Sequence, residues 1–421
     1  MRVIRDVTLA DGRRVDVRVD GETIDAVGAN LEGETLVEGD GNLLLPGMID
    51  VHVHFRQPGA SHKETWRTGS QSAAAGGVTT VVDQPNTNPP TTTGASYDEK
   101  NALADESLVD YGINGGVTET WDPDSLFERP LFALGEVFLA DSTGNMGIDA
   151  ALFADAVERA ADVNVPVTVH AEDADLFDES AKERDDADAW SAYRTADAEA
   201  AAVERAVDVG AGSGAQIHIA HTSTPEGVDA AREGGATCEV TPHHLFLSRE
   251  DLPELGTFGR MNPPLRSEER REAVFERLRD GRVDVVATDH APHTREEKDA
   301  SIWDAPSGVP GVETALPLLL NAAREGELSY ERVRDVTAAN PADIFSLPRK
   351  GRVEAGRDAD LVLVDPDDAQ EIRGDALHSK CGWTPFEGFD GVFPEWTMVR
   401  GEFAFDGSEF GSARGENVRT E

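Results

Sequence analysis

Apolar and polar residues alternate with a period of two near both ends of the chain. The segments that show this pattern are RRVDVRV (13–19), ETIDAVG (22–28), GRVEAGRDADLVLVD (351–365) and EWTMVRGEFAFDG (395–407). Such alternation is typical of strands with one buried face, separated by turns. Because neither end supplies enough strands to bury a core alone, we predict one composite β-sandwich domain formed by residues 1–46 and 345–421.

The region between the two ends alternates apolar, β-branched runs with alanine-rich stretches of helical periodicity. Eight runs are candidate strands: 48–54, 78–84, 111–117, 133–139, 165–170, 215–221, 236–242 and 283–290. Helical patterns lie between most of them, for example at 149–162, 196–209 and 267–279. Repeated strand–helix units over this length predict an α/β fold, a TIM-like (β/α)8 barrel spanning residues 47–344. A doubly wound open sheet is the alternative, although no glycine-rich phosphate loop follows any of the runs.

The net charge of the chain limits its partners. Asp and Glu total 81 against 38 Lys and Arg, which gives a formal charge of −43. This excess excludes a nucleic-acid-binding protein, because phosphate contacts need clustered cations, and it argues against an anionic membrane surface. The acidic residues are spread along the whole chain, and only six of the basic residues are lysines. This bias resembles that of proteins from salt-accumulating organisms, so we predict a halophilic protein.

Cysteine usage and hydropathy indicate a cytoplasmic location. The two cysteines, Cys238 and Cys381, are too few for a disulfide framework and neither belongs to a CxxC pair. The first residues carry charges and lack the apolar core of a signal peptide. No run approaches the ~20 apolar residues of a membrane span. We therefore expect a folded protein of a reducing cytoplasm with no membrane partner.

Ionisable residues gather at the predicted carboxyl ends of the strands, where a barrel builds its active site. His52 and His54 are separated by one residue, so on a strand both imidazoles project from the same face and can hold one ion. An HxH pair is weak evidence when it stands alone. Here His170, His221 and Asp289 end three further runs, and together the five residues indicate a metal site.

The chemistry of these five side chains narrows the metal and the number of ions. Imidazole and carboxylate without thiolate suit Zn²⁺, with Mn²⁺, Co²⁺ or Fe²⁺ as substitutes. A single catalytic zinc usually takes three protein ligands and keeps one position open. Five ligands therefore predict two ions that share a bridging group.

Six motifs occur in a fixed order, namely DVHVHFRQPG, DQPNTNPP, VTVHAED, HIAHTST, RMNPPLR and ATDHAPH. Together they resemble the cyclic amidohydrolases of the metallo-dependent amidohydrolase superfamily, and among them the dihydroorotase family with two zinc ions in a barrel. The likeness runs from about Met48 to Asn340, and the composite β domain is similar to that of the family as well. Six ordered motifs make the resemblance to the superfamily specific.

The resemblance implies a ligand for each position around two zinc ions. His52, His54 and Asp289 would bind one ion, and His170 and His221 would bind the other.

The bridging ligand has two candidates. Many members of the family use a carboxylated lysine, but the corresponding stretch, GEVFLADSTG, contains no lysine. Glu136 stands at the matching place, and its carboxylate can bridge two cations without modification. Asp141 is the alternative bridge, because some dihydroorotases use an aspartate slightly further along the chain.

The resemblance also implies residues that bind the substrate: Arg56, Asn86, Asn262, His293, and the backbone of Ser307 and Gly308. Arg56 follows His54 by two residues, and a guanidinium can bind a substrate carboxylate with two parallel hydrogen bonds. Relatives that act on allantoin tend to have asparagine there, and hydantoinases lack the arginine. Ser307 departs from the phenylalanine that relatives commonly carry, and the stretch 299–311 is expected to form a loop over the site.

The implied reaction is the reversible cyclisation of N-carbamoyl-L-aspartate to (S)-dihydroorotate with loss of water, in pyrimidine (UMP) biosynthesis. In the ring-opening direction a hydroxide between the zinc ions would attack the amide carbonyl, and Asp289 would carry its proton to the departing nitrogen. An allantoinase or a hydantoinase/dihydropyrimidinase is the nearest alternative, opposed mainly by Arg56. A non-catalytic scaffold within a pyrimidine-enzyme complex is an alternative of another class, opposed by the retention of every ligand. A homo-oligomer and association with aspartate carbamoyltransferase are the partner hypotheses.

Overall fold

The strands of the protein form two groups, one from the chain ends and one from the middle. A computed structural model describes residues 1–140 and 146–420. The described strands are β1 (Arg2–Leu9), β2 (Arg14–Asp20), β3 (Thr23–Gly28), β4 (Glu34–Glu38), β5 (Leu43–Pro46), β6 (Met48–Val53), β7 (Val78–Asp83), β8 (Asp110–Ile113), β9 (Leu134–Phe138), β10 (Val167–His170), β11 (Ile217–Ile219), β12 (Thr237–Val240), β13 (Val285–Val286), β14 (Leu361–Val364), β15 (Ala369–Glu371), β16 (Asp390–Val392), β17 (Trp396–Val399) and β18 (Glu402–Phe405).

Helices lie mainly between the strands of the middle group. They are α1 (Trp66–Ala75), α2 (Gly94–Ala104), α3 (Pro123–Phe127), α4 (Ala150–Asp162), α5 (Ala189–Tyr193), α6 (Ala196–Ser213), α7 (Pro225–Glu233), α8 (Pro242–Phe246), α9 (Leu252–Leu255), α10 (Glu268–Arg279), α11 (Arg295–Lys298), α12 (Ala315–Arg324), α13 (Tyr330–Arg334) and α14 (Asn340–Ile344). Among the described residues, no helix has both the length and the apolar character needed to cross a membrane.

The two chain ends build one sheet of eight strands. Its order is β18-β17-β14-β5-β1-β2-β3, with β4 paired to β1. The two ends join where β5 runs antiparallel to β14, with Leu44 opposite Leu363. Apolar residues from both ends, including Ile4, Leu361 and Met398, form a common core on this sheet. The expected composite β domain is therefore present, and the alternating segments near both ends form its strands.

Eight parallel strands, β6 to β13, form the barrel. They lie in two hydrogen-bonded groups, β6-β7-β8 and β9 to β13. Parallel bridges connect the groups, from Gly115 to Leu134 on one side and from Val53 to His290 on the other. The predicted TIM-like barrel is confirmed, and each observed strand falls on one of the eight apolar runs.

The outer helices α4 and α6 begin at residues whose side chains cap them. The side chain of Asp149 accepts hydrogen bonds from the first backbone N–H groups of α4, and Thr195 does the same for α6, since these groups lack partners within the helix. Phe153 and Val157 on α4 and Val203 on α6 are buried against the strands. The helical layer thus fixes the strands, and with them the strand ends that carry the site.

Candidate active site

Six ionisable side chains converge where the barrel strands end. They are His52 in β6, His54 just after it, Glu136 in β9, His170 at the end of β10, His221 two residues beyond β11 and Asp289 three residues beyond β13. All six are buried. The structure therefore brings together every metal ligand expected from the sequence except Asp141, which lies outside the described residues.

The backbone turns sharply at three of the positions that face the site. Arg56, His221 and Asp289 have φ angles of 63°, 35° and 46°, a left-handed conformation that residues with a Cβ atom seldom adopt. Each such residue costs about 1–3 kcal/mol and persists where the surrounding structure holds it. At these positions the chain leaves the strand direction, and all three side chains line the same cavity.

Glu136 lies between two clusters of ligand atoms. One cluster consists of His52, His54 and Glu136, and the other of Glu136, His170 and His221. One carboxylate oxygen, Oε2, is 3.4 Å from His52 Nε2. The other, Oε1, is 2.9 Å from His170 Nδ1 and 2.5 Å from His221 Nε2. Within the described ranges, Glu136 alone belongs to both clusters.

Asp289 completes the first cluster. Its Oδ1 is 2.9 Å from His54 Nε2 and 3.5 Å from His52 Nε2. His52 Nε2 is buried without a hydrogen-bond partner, although it faces the carboxylates of Glu136 and Asp289. A buried polar atom without a partner is costly, and a divalent cation between these groups would satisfy it. The donor set of imidazole nitrogens and carboxylate oxygens also suits zinc, so the residues present fit the metal.

Electrostatics keep the central carboxylates ionised, as metal ligation requires. Burial alone would raise the pKa of Glu136, but the charges of His221 and His52 hold this pKa well below its ordinary value. Burial acts on Asp289 in the same direction and is outweighed by the hydrogen bond from His54, so the pKa of Asp289 is lowered as well.

Two buried carboxylates behind the histidines fix which ring nitrogen faces the metal centre. Glu239 Oε1 is 2.6 Å from His52 Nδ1, and Glu172 Oε2 is 2.8 Å from His170 Nε2. These contacts direct His52 Nε2 and His170 Nδ1 toward Glu136. Such partners orient metal-binding imidazoles and raise their basicity. The sequence interpretation missed both, although a glutamate inside the apolar run ATCEVTP is a visible signal for Glu239.

Residues expected to bind the substrate line one cavity above the clusters, together with Asp289. They are Arg56, Asn86, Asn262, Ser307 and Gly308. Burial lowers the pKa of Arg56 to about 10 against the opposing charge of Asp289, so the guanidinium stays charged at neutral pH. Asn86 Oδ1 is 2.7 Å from His54 Nδ1, which turns His54 Nε2 to the metal centre.

His293 lies behind Arg56 and connects it to the loop over the site. Its Nε2 is 3.1 Å from Arg56 Nη2 and 3.0 Å from the carbonyl oxygen of Ser307. Its other nitrogen, Nδ1, is 3.0 Å from Lys63 Nζ. Since Lys63 can only donate to Nδ1, Nε2 carries the ring proton and donates it to the Ser307 carbonyl, so His293 holds the loop carbonyl beside the Arg56 guanidinium.

Lys298 holds the segment that carries Ser307 and Gly308. Its buried amino group donates to the carbonyl oxygens of Arg260, Pro306 and Gly308 at 3.0, 3.0 and 3.1 Å. The three acceptors match the three donors of the protonated amine, whereas burial and the charge of Arg260 lower the pKa of Lys298. Gly308 has a φ of 130°, and a Cβ there would lie 2.6 Å from the carbonyl oxygen of Ala291. A residue larger than glycine could not bring this backbone so close to the cavity.

Comparisons with known proteins agree with this geometry. The model of the family described as "Amidohydrolase family" matches residues 43–401. A dihydroorotase from Halobacterium salinarum is 74% identical over 421 residues, which is 100% of both chains. A dihydroorotase from Methanosarcina acetivorans is 45% identical and covers 93% of this chain and 88% of its own. The likeness to a Halobacterium protein also agrees with the halophilic character predicted from the charge.

The fold has solved counterparts. The structure of an L-hydantoinase (dihydropyrimidinase) from Arthrobacter aurescens superposes with a TM-score of 0.93 at 27% sequence identity, covering 99% of each chain. The family model covers most of the chain, and a dihydroorotase matches it over its full length. These two matches establish the family of the protein. The chain belongs to the amidohydrolase family and groups with its dihydroorotases.

Proposed function

We propose that this protein catalyses the reversible closure of N-carbamoyl-L-aspartate to (S)-dihydroorotate and water in pyrimidine biosynthesis. The observation that carries the proposal is that Arg56 lines the same cavity as members of both ligand clusters. A cyclic amide whose carboxylate is bound by Arg56 would place its ring next to Asp289. The 74% identity to a dihydroorotase over the whole chain supports the same substrate.

We propose zinc as the metal, with two ions per chain. His52, His54 and Asp289 would hold one ion, His170 and His221 the other, and Glu136 both. The two carboxylate oxygens of Glu136 face different clusters, which supports Glu136 over Asp141 as the bridge. When bound, the metal would lower the pKa of a water molecule and polarise the carbonyl of the substrate.

The side chains around the cavity supply binding and proton transfer. Ring opening adds water across the amide: its oxygen bonds to the carbonyl carbon, the C–N bond breaks, and a proton goes to the ring nitrogen. Asp289 lines the cavity as an ionised carboxylate, so it can accept the proton of the attacking water and return it to the departing nitrogen. Ring closure reverses these steps.

Three polar side chains and a backbone segment would hold the substrate in this position. The guanidinium of Arg56, which lies next to His293, would bind the substrate carboxylate. Amides of Asn86 and Asn262 would form hydrogen bonds with the substrate, and the backbone of Ser307 and Gly308 would close the opposite wall. Fixing the amide near Asp289 lowers the entropic cost of the reaction.

Parallel assays would test the proposal. The protein is purified in concentrated salt, its zinc is measured per chain, and ring opening of dihydroorotate, allantoin and dihydrouracil is followed. We expect activity on dihydroorotate. Activity on allantoin or dihydrouracil without activity on dihydroorotate would contradict the proposal.

An Arg56→Met variant serves as the matched test of the carboxylate. It should lose affinity for dihydroorotate, which carries a carboxylate, while its zinc content stays that of the unaltered chain. Unchanged affinity would exclude Arg56 as the binding group.

We further propose that the enzyme acts in the cytoplasm on a free small molecule. Self-association and association with aspartate carbamoyltransferase stay hypotheses. Size-exclusion chromatography in concentrated salt, with and without that partner, would test both.

A further inference from the structure

Trp190, in α5, makes a directional contact with a wall of the active site. Its indole Nε1 is 2.9 Å from Asn262 Oδ1 and 3.1 Å from the carbonyl oxygen of Met261. Asn262 is itself only 8% exposed and lines the cavity. The two residues are 72 positions apart in the sequence, so the barrel fold alone brings them together.

The chemistry of the indole determines how the Asn262 side chain is oriented. A carboxamide has an oxygen that accepts hydrogen bonds and a nitrogen that donates them, and rotation about its last bond exchanges the two. The indole N–H can only donate. The atom of Asn262 that faces Trp190 must therefore be the oxygen, and the NH₂ group must point in another direction.

Trp190 is held in place by aromatic and cationic neighbours. The guanidinium of Arg260 lies 3.7 Å from the centre of an indole ring, and the ring of Trp303 packs edge-on at 5.7 Å. Arg260 also donates a hydrogen bond to the carbonyl of Ala305 in the loop over the site. The indole is thus fixed relative to both α5 and the loop.

We propose that Trp190 is a positioning residue that determines substrate specificity, because it orients Asn262 to offer N–H donors to an oxygen acceptor of the substrate. This inference rests on the proposed function, which supplies the substrate. It predicts a site that favours a ring with a carbonyl or carboxylate oxygen at this position and rejects one with an N–H group there, since two donors cannot pair.

A comparison of two tryptophan variants tests the proposal. Trp190→Phe keeps an aromatic ring under Arg260 but removes the N–H donor. Trp396→Phe is the matched control, because Trp396 lies in β17 of the β domain against Phe403 and its indole N–H has no hydrogen-bond partner among the described residues. We expect the KM for dihydroorotate to rise about tenfold in W190F, the change that follows from losing about 1.4 kcal/mol of binding, with kcat within about twofold.

The control defines the result that would overturn the proposal. In W396F the KM should stay within about twofold of the unaltered chain. An unchanged KM in W190F, or an equal rise in both variants, would assign Trp190 to packing alone and refute the inference.

Asn262→Asp provides a second test that does not depend on the folding of W190F. The aspartate can accept the indole hydrogen bond but offers no N–H to the substrate, so N262D should bind dihydroorotate at least as weakly as W190F. Adding W190F to N262D should then change the KM little, because both changes remove the same interaction. Unaltered affinity in N262D would refute the inference.

The two proposals fail in different ways. If the unaltered chain does not open dihydroorotate, the proposed function is wrong and this inference falls with it. If the unaltered chain is active while W190F and N262D match it in KM, the function stands and only the role of Trp190 is refuted.

Discussion

Glu239 Oε1 lies 2.6 Å from His52 Nδ1 in the buried wall of the barrel. The same carboxylate contacts the strand end of β11, because Glu239 Oε1 accepts from the backbone N–H of His221 at 3.1 Å. One side chain thereby orients two proposed metal ligands on different strands. Burial raises the pKa of Glu239, but the charge of His52 outweighs it and lowers the pKa, so the group acts as an anion.

A Glu239→Gln variant should therefore bind zinc about 10- to 100-fold more weakly, the loss typical when a carboxylate behind a metal-binding histidine is removed. Competition with a chelator measures this affinity. Glu313→Gln is the control, since Glu313 is also buried but contacts Ser72 and His378. Equal zinc affinity in E239Q and the unaltered chain would refute the orienting role.

Glu136→Ala should remove a shared ligand from both clusters. Because Oε1 and Oε2 face different histidines, we expect the zinc content to fall from two ions per chain to one or fewer. Asp141→Ala should keep both ions. Full zinc content in E136A together with loss in D141A would make Asp141 the bridge. Elemental analysis after dialysis measures the content of each variant.

Lys298→Met should disturb the substrate loop without touching the metal. The change leaves the carbonyls of Arg260, Pro306 and Gly308 without their buried donor, and a buried acceptor left unsatisfied costs about 1–3 kcal/mol. We expect an earlier urea midpoint and a higher KM for dihydroorotate at unchanged zinc content. Lys380→Met is the control, because the exposed Lys380 also donates to a carbonyl, that of Ser61. An unchanged KM in K298M would show that the Lys298 hydrogen bonds do not contribute to substrate binding.

The sequence predicted the barrel strands well because their signal is local. Buried parallel strands form continuous apolar runs, and β7 (Val78–Asp83) differs from its predicted run by one residue. The last strand was predicted too long, at 283–290, and β13 spans only Val285–Val286. The reason is a tertiary contact: the backbone and hydroxyl of Thr288 donate to the Asp50 carboxylate.

The proposed site was predictable to the extent that its chemistry is local. His52 and His54 are recognisable by their spacing within one motif. Glu239 is 187 positions from His52, and Trp190 has no motif at all, so closure of the barrel is needed to reveal their contacts. Groups that would touch metal and substrate therefore leave a clearer signal in the sequence than groups that orient them.

His378 should make stability depend on pH. Its Nδ1 is 2.7 Å from Glu313 Oε1, and this hydrogen bond, against the effect of burial, raises the pKa of His378. A histidine whose pKa is higher in the folded than in the unfolded state stabilises the folded protein. This stabilisation is fully present at pH values below the pKa of the unfolded state, near 6.5, and is lost as the pH rises through the pKa of the folded state.

His378→Gln should therefore unfold more easily than the unaltered chain at pH 6, and the difference should shrink as the pH rises above 6.5 through the folded pKa. Urea unfolding at a series of pH values measures it. The pH-dependent part should vanish when His378→Gln is made in the Glu313→Gln background. A difference that does not change with pH would assign His378 to packing against Phe410, whose ring lies 4.9 Å away.

Salt should control both activity and stability. A formal charge of −43 opposes the compact state through self-repulsion, and neighbours such as Asp367 and Asp368 are exposed side by side. Charges are screened beyond about 10 Å at 0.1 M salt and about 3 Å at 1 M.

Lowering KCl from molar to dilute concentration should lower the unfolding midpoint and the rate of ring opening together. An uncharged osmolyte at equal osmolarity should restore the midpoint and the rate less than KCl does, because it cannot screen the repulsion between carboxylates. The same midpoint and rate in dilute buffer would mean that Arg–carboxylate pairs such as Arg277–Asp229 already offset the repulsion without added salt.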